Sequence, residues 1–94
     1  MNTTQLECFV TVAECLNFSK AADILKLTQP AVSHQIRSLE EELEVKLFHR
    51  TSKNVSLTQE GLLFLADAHL ILKTALSAKR RLEDHTPIIP FELG

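Results

Sequence analysis

The stretch LTQPAVSHQIRSLE, residues 27–40, carries the side chains best suited to chemistry with a partner. Val32, Ile36, Leu39 and Leu43 are spaced 4, 3 and 4 apart, a single apolar helical stripe. At about 100° per residue, Pro30, Ala31, His34, Arg37 and Ser38 fall on or near the opposite side, with Ser33 and Gln35 on its flanks. That polar set has the vocabulary of groove recognition. Gln29 can bond adenine N6 and N7, and His34 can donate to a guanine acceptor. Pro30 and Ala31 suit a thymine methyl, and Ser33 can reach a phosphate or a base. Arg37 can anchor on the backbone. The plainer reading of the same face is solvated helix surface.

A second cluster follows. Acids crowd into EEELE, Glu40 to Glu44, and none occurs from there to residue 59, a stretch containing Lys46, His49, Arg50 and Lys53. A net charge of −2 argues against a polyanionic partner only if charge is spread evenly, and here it is not. Arg50, Ser52 and Lys53 suit phosphates or a minor groove. Lys20 is a further phosphate candidate, and Thr28 sits at a positive helix pole. The histidines and cysteines form no C-x-x-C or H-x-x-x-H spacing, so no metal site is expected. Cys8 and Cys15 lie two helical turns apart, roughly 10 Å, too far for a disulfide within one helix. Ser33 and His34, as helix neighbours, point in different directions and make no catalytic pair. No glycine-rich phosphate loop is present, and neither enzyme activity nor a cofactor is expected.

The elements that must hold these side chains are helical. TQLECFVTVAECLNF places Leu6, Phe9, Val10, Ala13 and Leu16 at helical spacing, with Thr3 or Thr4 as cap and Glu7 completing a capping box with Thr4. Asn17 ends that helix. Ser19 is read as the cap of a short second helix, SKAADILK, whose apolar contacts come from Ala22, Ile24 and Leu25. Ala21 and Ala22 allow a close helix approach. Thr28 caps the third helix, with Pro30 in its first turn. Two short helices joined by a tight turn make a helix-turn-helix, although the usual turn glycine is missing. KLFHR and NVSLT around TSKN read as a two-stranded hairpin, with Phe48 and Leu57 toward the core. A long helix begins after Thr58, and at 1.5 Å per residue it spans roughly 40 Å. Leu62, Leu65, Leu72 and Leu76 mark one side, and Leu63, Phe64, Ile71 and Ala75 another. So wide an apolar surface requires a cover, and a second copy of the chain is the economical one. The tail HTPIIPFELG has two prolines and cannot prolong the helix.

Ninety-four residues, 45% of them hydrophobic, with two glycines and neither Trp nor Tyr, support one small helix-rich domain. No signal peptide is recognised, and no apolar run is read as membrane-spanning. A cytoplasmic protein with reduced thiols is expected.

The motifs SKAA, TQPAVSHQI, LE, LFHR and LTQEG, in this order and spacing, resemble the N-terminal DNA-binding region of LysR-type transcriptional regulators over about residues 3 to 84. The resemblance implies a mainly α fold: a winged helix-turn-helix over 1–58, a dimerisation linker helix over 59–84, and a tail, 85–94, leading to an effector-binding domain absent here. It implies a bacterial, nucleoid-associated regulator that binds two-fold-related half-sites on double-stranded DNA as a homodimer, with higher oligomers in a full-length protein. Any small-molecule inducer would act through the absent domain. The expected DNA-binding residues are Lys20, Thr28, Gln29, Pro30, Ala31, Ser33, His34, Arg37, Arg50, Ser52 and Lys53. The expected dimer contacts are Leu62, Leu65, Ile71, Leu72, Ala75 and Leu76. His34 departs from the family, which commonly has arginine there. A protein-interaction module built on the same fold is the alternative function.

Overall fold

The structure, a computed structural model, describes residues 1–85; the expected tail lies outside them apart from His85, the last residue of the final helix. Four helices and a two-stranded antiparallel sheet follow in the order α1 (Thr3–Cys15), α2 (Phe18–Leu25), α3 (Gln29–Leu43), β1 (Phe48–Arg50), β2 (Val55–Leu57) and α4 (Gln59–His85). This is the expected winged helix-turn-helix followed by a long helix.

Two helix starts differ from expectation by one or two residues. Asn2, not Thr3 or Thr4, caps α1: its Oδ1 accepts from the Gln5 N–H at 2.8 Å, and Gln5 Oε1 accepts from the Asn2 N–H at 3.1 Å. The capping box therefore pairs Asn2 with Gln5 and leaves Glu7 exposed. Asn17, not Ser19, caps α2, accepting from the Lys20 N–H at 2.9 Å. Phe18 is thereby drawn into the helix, where Phe18, Ala21, Ala22 and Leu25 form the inward stripe. Ile24 lies off that stripe and is exposed, contrary to expectation.

The tight turn lacks glycine because Lys26 itself adopts the left-handed conformation, φ 59°. Its N–H bonds the carbonyls of Ala22 and Asp23. Leu16 and Glu44 end α1 and α3 in the same way. Each such residue costs about 1 kcal/mol relative to an ordinary helical conformation.

The core gathers Leu6, Phe9 and Val12 of α1, Val32, Ile36 and Leu39 of α3, and Leu47 and Phe48. Ala21 and Ala22 are buried, giving α2 the close approach to α1 and α3 that its size demands. Four phenylalanines run through this core as a chain. Phe64 of α4 stands 5.4 Å from Phe9, Phe9 stands 5.5 Å from Phe48, and Phe48 stands 5.9 Å from Phe18. Such tilted pairs contribute about 0.5–1.5 kcal/mol each beyond their burial.

In the hairpin, Phe48 pairs with Leu57, His49 with Ser56 and Arg50 with Val55. Its root is joined to α4. Thr58 accepts from the Gly61 N–H at 2.9 Å, as the cap of α4, and donates to the Lys46 carbonyl at 2.6 Å. The Leu47 carbonyl passes so close that a Cβ on Gly61 would lie 2.2 Å from its oxygen. Only glycine fits there.

On α4, Phe64, Leu65, Ala68 and Leu72 pack on the domain core. Leu62, Leu63, Leu70, Ile71, Ala75 and Leu76 are exposed. Gln59–Asp84 is also long and apolar enough to cross a membrane by length and composition, with an 18-residue window of mean hydropathy 1.4. This corrects the expectation that no such run exists. The sequence pattern concealed it because Asp67, His69 and Lys73 interrupt the leucines.

Candidate nucleic-acid interface

Thr28 fixes the start of α3: its Oγ1 accepts from the Ala31 N–H at 3.2 Å, and Pro30 occupies the first turn, where no intrahelical donor is needed. This leaves Thr28, Gln29 and Pro30 exposed at the end of the helix, with Ala31 half-buried beside them. His34 and Arg37 follow on the outer face, and Ser33 is half-buried toward the wing.

The wing tip is pre-ordered. The Thr51 hydroxyl oxygen accepts from the N–H groups of Lys53 (3.3 Å) and Asn54 (2.9 Å), and the Thr51 N–H donates to the Asn54 carbonyl at 2.9 Å. Ser52 and Lys53 therefore project from a closed turn. Between this tip and α3 runs a groove of about 310 Å³, lined by Ser19, Gln29, Ser33, Arg50, Ser52 and Lys53 among others. The structure thus brings most of the expected polar residues around one groove. Lys20 is exposed at the start of α2, next to Ser19.

Arg50 differs from the simple surface cation expected of it. Its guanidinium lies 4.4 Å above the Phe18 ring, donates through Nη1 to Ser33 Oγ at 2.9 Å, and brings Nη2 within 3.9 Å of Glu40 Oε1. Burial lowers its pKa, the Glu40 carboxylate opposes that shift, and Arg37 adds to it. An arginine remains charged at neutral pH. Arg37 also donates to Ser33 Oγ, at 3.2 Å. Among the described residues, the side chains of Lys20, Gln29, His34 and Lys53 have no hydrogen-bond partner.

Glu40 is the residue that sequence reasoning missed. It read as one acid in a solvated run, yet it is 5% exposed. Its Oε2 accepts from the Leu47 N–H at 2.7 Å and lies 3.4 Å from the Phe48 N. One carboxylate thus satisfies the backbone entering β1 and faces Arg50 at its end. The available signal was its place one step after Leu39, on the inner edge of the apolar stripe. Of its neighbours, Glu42 pairs with the N-terminal ammonium. Cys8 is fully buried, and burial, with Glu7 nearby, raises its thiol pKa, as suits a packing residue. No cluster of metal-ligating side chains occurs among the described residues.

Residues 3–62 match the family described as bacterial regulatory helix-turn-helix protein, lysR family. The chain belongs to the LysR family. Among LysR relatives, it is 42% identical over 84 residues to an HTH-type transcriptional regulator from the ibpB-leuC intergenic region of Azotobacter vinelandii, covering 89% of this chain and 58% of that protein. It is 45% identical over 73 residues to the DNA-binding transcriptional dual regulator OxyR of Escherichia coli, covering 78% of this chain and 24% of OxyR. The chain therefore spans a little over half of the first relative and about a quarter of the second. Two solved LysR structures superpose closely. The CbnR DNA-binding domain in complex with DNA matches with a TM-score of 0.86 at 36% identity, over 92% of this chain and 99% of that one. The BenM DNA-binding domain bound to catB site 1 DNA matches with a TM-score of 0.86 at 37% identity, over 92% and 96%.

Proposed function

We propose that this chain is the sequence-specific double-stranded-DNA-binding module of a bacterial LysR-type transcription regulator, and that it works in the cytoplasm as a two-fold dimer without catalysing a reaction. The observation that carries this reading is the shared groove: Gln29, Ser33, Arg50, Ser52 and Lys53 converge from α3 and the wing. Residues 1–58 form the reading unit and 59–84 the dimerisation helix. The first half of α3 enters the major groove, presenting Gln29, Pro30, Ala31 and His34 to base edges. Thr28, Lys20 and Arg37 hold the backbone, and Ser52 and Lys53 follow the wing into the minor groove. An inducer site, in this reading, belongs to a further domain and not to residues 1–84.

The outer face of α4 supports the dimer. Leu62, Leu63, Leu70 and Leu76 are each more than half exposed. So much apolar surface on a small domain marks a contact. A second copy suits it better than lipid, because Asp67 and Lys73 would each cost about 2.5–3.5 kcal/mol at a bilayer centre. Ile71 and Ala75 join this contact. Leu65 and Leu72, also expected in it, are partly covered by their own domain.

Selection of duplexes from a random-sequence pool tests the reading. A two-fold motif is the expected outcome, with fluorescence anisotropy giving affinity that falls steeply with salt. Recovery of no enriched sequence, together with a flat salt dependence, would leave the protein-interaction alternative in its place.

A further inference from the structure

We propose that Ser33, set by Arg37 and Arg50, is the ligand of one DNA backbone phosphate, and that it does not read a base. This rests on the DNA-binding reading above and assigns the groove's occupant. When α3 lies in the major groove and the wing tip in the adjacent minor groove, one sugar-phosphate strand must separate them. Among the described residues, the groove that opens toward the wing tip, bounded by Gln29 and Ser33 on one side and Thr51–Asn54 on the other, offers room for that strand.

The hydrogen bonding of Ser33 then decides what it offers. A serine hydroxyl has two lone pairs and one O–H. Both lone pairs are taken, by Arg50 Nη1 at 2.9 Å and Arg37 Nη2 at 3.2 Å. Only the O–H remains, so Ser33 can donate and cannot accept. Two cationic donors on one oxygen polarise it and strengthen that donation. A phosphate oxygen is the acceptor that such a donor between two guanidinium groups fits best. Glu40 faces the same guanidinium through Nη2 and offsets part of its charge, while Arg37 adds a second, exposed guanidinium at the same oxygen. Arg50 is a positioning residue here. Held by the Phe18 ring and Glu40, it fixes the direction of the Ser33 proton.

The test uses a duplex that the chain itself selects from a random pool, resynthesised with a single neutral methylphosphonate linkage at each position in turn. On the unmodified duplex, Ser33→Ala should weaken binding about tenfold, the scale of a hydrogen bond to a charged group. Ser33→Thr, which keeps the hydroxyl, should restore most of that loss. On the duplex neutralised at one particular linkage per half-site, Ser33→Ala should cost no more than about twofold, because the partner charge is already gone. Repeating the selection with Ser33→Ala should return the same motif. Equal weakening on every modified duplex, or a changed base preference, would overturn the phosphate assignment while leaving DNA binding intact. Failure of the unaltered chain to select any duplex would instead overturn the underlying reading.

Discussion

The α3–wing face and the outer face of α4 are both exposed, but one is held in place by hydrogen bonds and the other is a run of bare leucines. On the first, Thr28, Ser33, Thr51 and Arg50 fix local geometry through side-chain hydrogen bonds before any partner arrives. On the second, Leu62, Leu63, Leu70 and Leu76 offer area without direction. A surface that must discriminate among similar partners gains from fixed donors, because a misplaced one leaves a polar group unpaired. A surface that meets only its own copy, as proposed for α4, needs burial and a helix that presents it.

Breaking the connection between the two faces should have the largest effect. Gly61→Ala forces a Cβ against the Leu47 carbonyl, and chemical denaturation should show a loss of about 3 kcal/mol. Next comes Glu40→Ala, which strips the buried Leu47 N–H of its acceptor and Arg50 of its counter-charge; we expect about 2 kcal/mol by the same measurement. A destabilisation below a few tenths of that would mean the carboxylate does not hold the wing root. The double variant Leu62→Glu, Leu76→Glu isolates the apolar face. If the proposed dimer forms through this face, sedimentation velocity should show monomer for the variant and dimer for the unaltered chain, and the variant should lose the concentration-dependent part of the stability. Persistence of the dimer would place the contact elsewhere. His34→Ala should leave folding unchanged and alter base preference in a repeated selection; equal weakening on specific and random duplexes would remove it from the base-reading set. The smallest effect belongs to Lys53→Ala, which should lower the slope of log affinity against log salt by about one.

Much of this architecture was legible because its signals are local. The stripe Val32–Ile36–Leu39, the Thr28 cap with Pro30, and the polar tip between two apolar strands each specify an element from neighbouring residues. The helix starts at Asn2 and Asn17 were misplaced because several residues with capping side chains stand side by side, and the choice among them depends on which hydrophobe must turn inward. Phe18 settled the second case by joining the core. Glu40 and Arg50 were beyond local reading for a different reason. Their roles arise from contacts between α2, α3 and the wing, from Glu40 with Leu47 to Phe18 with Arg50, between residues well separated in sequence. Leu65 and Leu72 pack partly on their own domain, a contact that helical periodicity does not report, because it shows that a face is apolar but not whose core it enters.

The joint at Thr58 and Gly61 has a consequence for the length of DNA the protein can measure. Thr58 ties the start of α4 to Lys46, and Gly61 lets the backbone at Leu47 lie directly on the helix, so the two parts meet at a hydrogen-bonded, closely packed joint. In a two-fold pair such a joint acts as a ruler. In the proposed dimer, the gap between the two recognition helices would be set by the angle at which each unit leaves its arm, and half-sites moved along the duplex would also rotate about its axis. Tolerance to operator spacing would then come from bending of the DNA, leaving the protein as the stiff partner.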